Sequence, residues 1–198
     1  MRDDSRRALF IGFLTFILTI GIGTISNGLA RQAGFIASLI VLFFMITIGI
    51  LFDIIGVAAT AGAERPFHAM ASKKIPGARH GLRIVRNAHS VSTFSNDVIG
   101  DIVGTVSGAL AMGLVVNLLA IYPKVDETMA ITLLTAFVAA LTVGGKAKGK
   151  AFAINRSTQI LHFVGRILEF LERITGIELL KDNPKRYARK RKRRLKKF

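Results

Sequence analysis

The 198-residue sequence contains no cysteine, which excludes disulfides and thiolate metal sites and fits an intracellular or membrane setting. Proline occurs only four times, and Pro66, Pro76 and Pro123 fall where the hydrophobic pattern breaks. Acids are scarce as well: 12 Asp and Glu against 28 Lys and Arg leave a formal net charge of +16. Motifs for chemistry are missing too. There is no Ser-His-Asp order, G-x-S-x-G elbow, phosphate-binding glycine loop or H-E-x-x-H helix, so no enzymatic activity is expected. What is present is apolar: hydrophobic residues make up 51% of the chain. A soluble domain would spread its charges along amphipathic elements, whereas here they are segregated into blocks.

Four apolar runs, about 8–30, 34–61, 98–121 and 129–145, are each long enough to approach or exceed a bilayer crossing. The fold class expected is therefore all-α: a polytopic helical membrane protein with four transmembrane helices in a single domain over 1–180. The first run follows three arginines, a layout shared with signal peptides. It exceeds the usual h-region and lacks a clear A-x-A cleavage site, so a first transmembrane helix is the reading adopted. Gly28 to Gly34, with Arg31, reads as a turn into the second span, which Asp53 alone interrupts. Residues 62–92 carry Arg65, Lys73, Lys74, Arg79, Arg83 and Arg86 against Glu64. Pro66 and Pro76 divide this stretch into two juxtamembrane helices, about 67–74 and 78–88.

After the third span Tyr122 to Glu127 turns the chain, and Thr128 is a candidate cap for the fourth. Lys146-Ala147-Lys148-Gly149-Lys150 reads as a stop-transfer signal. Counting short-loop Lys and Arg places the N-terminus, 62–92 and the C-terminus on the cytoplasmic side of a multi-pass protein of the cell membrane. From 157 to 180 apolar residues recur at helical spacing, with Arg166, Glu169, Glu172 and Arg173 on another side. This is an amphipathic helix, either at the membrane interface or against the bundle. The last eighteen residues hold eleven Lys and Arg, too charged to bury a core and expected to be a disordered tail over 181–198. Lys185, Arg186, Arg189, Lys190, Arg191, Lys192, Arg193, Arg194, Lys196 and Lys197 are candidates for binding anionic lipid. Contact with nucleic acid or the ribosome is the alternative partner for this tail.

The stretch Ser95–Gly108 concentrates the chemistry. On a helix, Gly100, Gly104 and Gly108 form one stripe suited to close packing or dimerisation, while Ser95, Asn96 and Asp97 read as an N-terminal cap. Asp101, like Asp53, is an acid within or bordering an apolar span, and an acid there is a functional-site candidate by default. Asp53 and Asp101 are open to two readings, a cation or proton site or an ion pair with Lys146 or Arg65. Hydroxyls at Thr60, Thr105 and Ser107 could complete an oxygen shell, or bond their own helix backbone instead. His68, His80 and His89 lack the three-to-five-residue spacing of a local zinc clamp.

The order of these segments resembles the transmembrane domain shared by cyclin M (CNNM) and bacterial CorB/CorC magnesium transporters. Phe52-Asp53-Ile54-Ile55-Gly56-Val57-Ala58 resembles that family's F-S-x-x-E-x-A motif, Ile75-Pro76-Gly77-Ala78-Arg79 its N-K-G-A-R-like turn and Ile99-Gly100-Asp101 its I-G-N element. Gly145 to Ala153 is similar to its G-E-x-x-P-K-x-x-A element. The likeness covers about 40–180. It implies a homodimer and a dehydrated magnesium site, with Asp53, Asp101 and Lys146 at the positions of the family's serine, asparagine and glutamate. The departures are an ammonium where the family has a carboxylate, Gly149 in place of proline, an added helix at 8–30, and no CBS pair. The function expected is that of an integral membrane protein that binds or transports a divalent cation, Mg2+ by this resemblance, with Lys146 gating the site or forming an ion pair. The alternative is a non-transporting scaffold whose basic tail binds anionic lipid or another polyanion.

Overall fold

The structure, a computed structural model, describes residues 2–32, 34–176, 178 and 180. The basic tail, including Lys185 to Lys197, lies outside the described residues. Among those described every regular element is helical, and four helices are long and apolar enough to cross a membrane. The chain is an all-α polytopic membrane protein. In order, the elements are α1 (Arg2–Gln32), α2 (Gly34–Ala61), α3 (Glu64–Ser72), α4 (Ala78–Arg86), α5 (Ala88–Ser92), a π-helical segment (Thr93–Ile99), α6 (Gly100–Ile121), α7 (Glu127–Asn155) and α8 (Ser157–Thr175).

Several boundaries differ from the sequence expectation. The first turn is tighter than 28–34, because α1 continues to Gln32 and α2 begins at Gly34 with φ +73°, a left-handed conformation glycine adopts without strain. The juxtamembrane helices, expected at 67–74 and 78–88, are Glu64–Ser72 and Ala78–Arg86. Pro66 is accommodated in the first turn of α3, where its missing N–H has no intrahelical partner to lose. Gly77 joins the pair at φ +81°.

The third span does not start at Ser95-Asn96-Asp97. Helical backbone runs unbroken from Thr93 through the π segment into α6, and no side chain caps it. The fourth span is capped by Asp126 rather than Thr128: Asp126 is extended and its Oδ1 accepts from the Met129 N–H at 2.8 Å. This span also passes straight through Lys146–Lys150 to Asn155, since lysine and alanine are good helix formers and a charge ends hydrophobicity without ending helix. The amphipathic helix stops at Thr175 instead of 180, where Gly176 at φ +69° supplies a left-handed terminus.

Two cores hold the bundle. Within the spans, Leu42, Met45 and Ile46 of α2 meet Val98, Ile102, Val103, Val106 and Leu110 of the third span, with Val138 of α7 closing the cluster. At the far end of α2, Ala58 and Ala59 pack with Phe67, Ile84, Ala153 and Leu161. This second core ties α3 and α4 to α8, and its fit depends on small residues: a Cβ on Gly81 would overlap the Phe67 ring, and one on Gly165 would overlap the Gly77 carbonyl oxygen. Polar contacts frame the same junction. Glu169 accepts the Gly77 N–H, His80 Nε2 meets Glu172 Oε2 at 2.8 Å, Arg83 reaches Glu172 at 3.4 Å and Glu178 at 3.6 Å, and His162 bonds the Pro76 carbonyl at 3.0 Å. Of the two placements open for the amphipathic helix, one face is thus packed on the bundle.

Candidate ion site in the transmembrane bundle

Asp53 is in the middle of the second half of α2, and only 5% of it is exposed. Its neighbours are fixed by close helix contacts. A Cβ on Gly49 would lie 2.9 Å from Val103 Cγ1, and a Cβ on Gly56 would overlap Asn96 Oδ1, so α2 and the third span run antiparallel with Asp53 level with about Ile99–Gly100. Gly145 abuts Ile50, and a Cβ on Gly149 would lie 2.9 Å from Ile54 Cγ1, so α7 runs parallel to α2 and brings residues 146–148 to the level of Asp53. The Lys146 amine ends 3.7 Å from the position a Gly100 Cβ would take. Three helices therefore present a carboxylate, an amide and an ammonium around one layer of the bundle.

Two oxygens in this layer are unsatisfied. Asp53 Oδ2 and Asn96 Oδ1 are both buried without a hydrogen-bond partner, although Asn96 Nδ2 donates to Ser92 Oγ at 3.3 Å. Asn96 touches Gly56, which follows Asp53 by three positions on the same face of α2, about one helical turn, ~5 Å, along its axis. A buried acceptor without a donor costs on the order of 1–3 kcal/mol, and more when charged. Both atoms are hard oxygen acceptors, so a cation, a proton or water relieves the same deficit.

The π segment sets this arrangement. The Gly100 N–H bonds Ser95 O, five residues back, and the wider turn rotates the start of α6 relative to a regular helix. Ser95, Val98 and Gly100 are consequently buried while Asp97 and Asp101 face outwards. The buried polar groups here are not all the ones the sequence singled out. Asp101, matched to the family's asparagine, is exposed on α6 and does not join Asp53 in the buried layer, whereas Asn96, read as part of a cap, does. Asp97 caps nothing.

The remaining candidates fall elsewhere. Thr60 donates to Val57 O at 2.9 Å and Thr105 to Asp101 O at 2.9 Å, both on exposed surface. Ser107 is buried with an unpartnered Oγ, but seven residues beyond Gly100 it is about two turns, ~10 Å, from the Asp53 layer. Gly100 is buried beside Lys146, while a Cβ on Gly104 or Gly108 would meet nothing within 4 Å, so the glycine stripe does not pack inside the protomer beyond its first member. Among the described residues no ion pair joins Lys146 or Arg65 to either aspartate. Asn96 is the residue that sequence reasoning read only as a cap; flanked by Ser95 and Asp97 just before the apolar run, it has no signal that sets it apart.

The fold and this layer define a class, a helical polytopic membrane protein with a buried acid and amide between three spans. No family model, characterised protein or solved structure matches the chain, so the cyclin M resemblance rests on its motifs and carries no family assignment.

Proposed function

We propose that this four-span membrane protein binds or transports a divalent cation at Asp53 and Asn96, with Mg2+ the ion that best suits the donors. The observation that carries the reading is the pair of buried, unpartnered oxygens on facing helices. Among the described residues no three His, Asp or Glu side chains gather as a metal cluster. An ion at Asp53 would draw its other oxygens from Asn96, backbone carbonyls and water, the mode Mg2+ commonly uses, with one or two carboxylates and retained waters. Lys146 is the gate in this reading. Its ammonium has no lone pair for a metal, and near the layer it opposes entry until it swings towards the exposed side of α7.

The protein is proposed to be in the cell membrane with both termini and the α3–α4 hairpin cytoplasmic, where its basic residues belong. It is also proposed to be a homodimer through the open face of α6, where Gly104 and Gly108 would allow close approach and Asp101 would be removed from lipid. The placement of the Lys146 amine favours a second reading, a non-transporting scaffold in which the ammonium serves as the internal counter-ion of Asp53. Its basic tail would then recruit anionic lipid or another polyanion.

Calorimetric titration of Mg2+ into purified protein separates the two. Wild type should bind, Asp53→Asn should not, Asp101→Asn should bind as wild type, and Lys146→Ala should bind about tenfold more tightly, since removing one charge beside a divalent ion is worth on the order of 1 kcal/mol or more. No heat from wild type or Lys146→Ala would reject the ion site. Marked thermal destabilisation of Lys146→Ala would then identify the amine as the structural partner of a buried carboxylate.

A further inference from the structure

Helix α8 has two apolar faces, and the protomer covers one. Leu161, Val164 and Leu168 pack into the core shared with α2 and α4. Beside this face, roughly 120° round the helix, Phe163, Ile167, Phe170 and Ile174, spaced four, three and four apart, form a single stripe. Phe163, Phe170 and Ile174 are each more than 60% exposed. Large apolar side chains aligned in this way mark a surface that binds something apolar.

Charge is distributed unequally around the stripe. The acids of α8 are turned inward and engaged, Glu169 by the Gly77 N–H and Glu172 by His80 and Arg83. The arginines start from the hairpin side, Arg166 with its Cγ against Gly77, but reach exposed surface. Arg166 is exposed, and Arg173 is 79% exposed, with a 3.5 Å contact to Glu169 that is weak at a surface. Arg166 and Arg173 therefore edge the stripe on one side, and Ile160 and Leu171 continue it on the other. Its position completes the pattern: α8 begins where α7 ends at Asn155, Leu161 abuts Gly62 just past the end of α2, and exposed Phe152 and Ile154 on α7 lead up to it.

We infer that α8 lies in the plane of the bilayer, with Phe163, Ile167, Phe170 and Ile174 sunk into the headgroup–acyl boundary of an anionic phospholipid leaflet and Arg166 and Arg173 among its phosphates. Continuity with the lipid-facing surface of the spans and the basic border favour lipid over a second copy of the chain as the occupant. An in-plane helix of this type buries its apolar face ~5–10 Å below the headgroups. The inference rests on the membrane class of the chain and is independent of the ion site. It makes α8 a clasp, holding the α3–α4 hairpin on one face and the leaflet on the other.

The chain has no tryptophan, so Phe170→Trp creates a single fluorophore at an exposed position without disturbing the core. The full chain is placed in nanodiscs of phosphatidylcholine and phosphatidylglycerol whose acyl chains are brominated either near the carbonyl or near the terminal methyl. Phe170→Trp should emit at blue-shifted wavelength and be quenched more by the shallow bromines, while Phe16→Trp in α1 should be quenched more by the deep ones. Quenching of Phe170→Trp by neither set would overturn the proposal, whether the fluorophore is open to water or covered by another protein. Equal quenching of Phe170→Trp in discs of phosphatidylcholine alone would overturn the preference for an anionic leaflet.

Discussion

At the scale of single residues, the bundle is held in register by places where a side chain is missing. Gly56 leaves the space that Asn96 fills, and this contact sets the amide against the residue one turn beyond Asp53. Replacing Gly56 by alanine would drive a methyl into Asn96 Oδ1, and overpacking of this kind costs about 1–3 kcal/mol. Gly56→Ala should therefore lower the melting temperature in detergent and weaken Mg2+ binding together. Gly108→Ala, with open space around the added methyl, should leave both unchanged in the monomer. The burial of Asp53 within a span was legible in the sequence because it sits inside an apolar run. Asn96 was not, because Ser-Asn-Asp before an apolar run has the composition of a helix start. What turns Asn96 from a cap into a buried amide is the extra residue in the π turn, a property of packing against α2 that no composition records.

At the scale of elements, the four spans were legible because bilayer thickness fixes their length and water exclusion fixes their composition. Their ends were less so. Helix persists through Lys146–Lys150 because lysine and alanine favour helix even where exposed, and a charge marks the edge of the hydrocarbon without ending the helix. The docking of α8 was readable only as amphipathicity; its partner, α4, is set by Gly81 and Gly165 and by the Glu172 contacts. The Glu172 carboxylate is 14% exposed between His80 and Arg83. Removing its charge weakens both contacts and leaves polar groups poorly paired, at about 1–3 kcal/mol. Glu172→Gln should raise hydrogen exchange across α4 and α8 while leaving the middle of α2 protected, because local opening follows local contacts. Equal protection of α8 in both proteins would show that the apolar core alone holds it.

At the scale of the whole molecule, the exposed surface is that of a protein solvated by lipid, with α1, α2 and α7 carrying large outward apolar side chains such as Phe13, Phe44 and Phe137. The exception is the outer face of α6, where Gly104, Thr105 and Asp101 are exposed together. Lipid solvates such a face poorly, and a second copy of it would pack on the glycines. Gly104→Leu should convert a dimer to a monomer in light scattering of the detergent complex, with little loss of monomer stability because a Cβ there meets nothing within 4 Å. A dimer that survives the substitution would place the interface elsewhere. The proposed ion site is tested most directly by a high-resolution crystal structure grown with Mn2+ as an anomalous stand-in for Mg2+. Anomalous density adjoining Asp53 Oδ2 and Asn96 Oδ1, with the Lys146 amine displaced, is the expected result; the Lys146 amine bonded to Asp53, with no anomalous density in that layer, would contradict it.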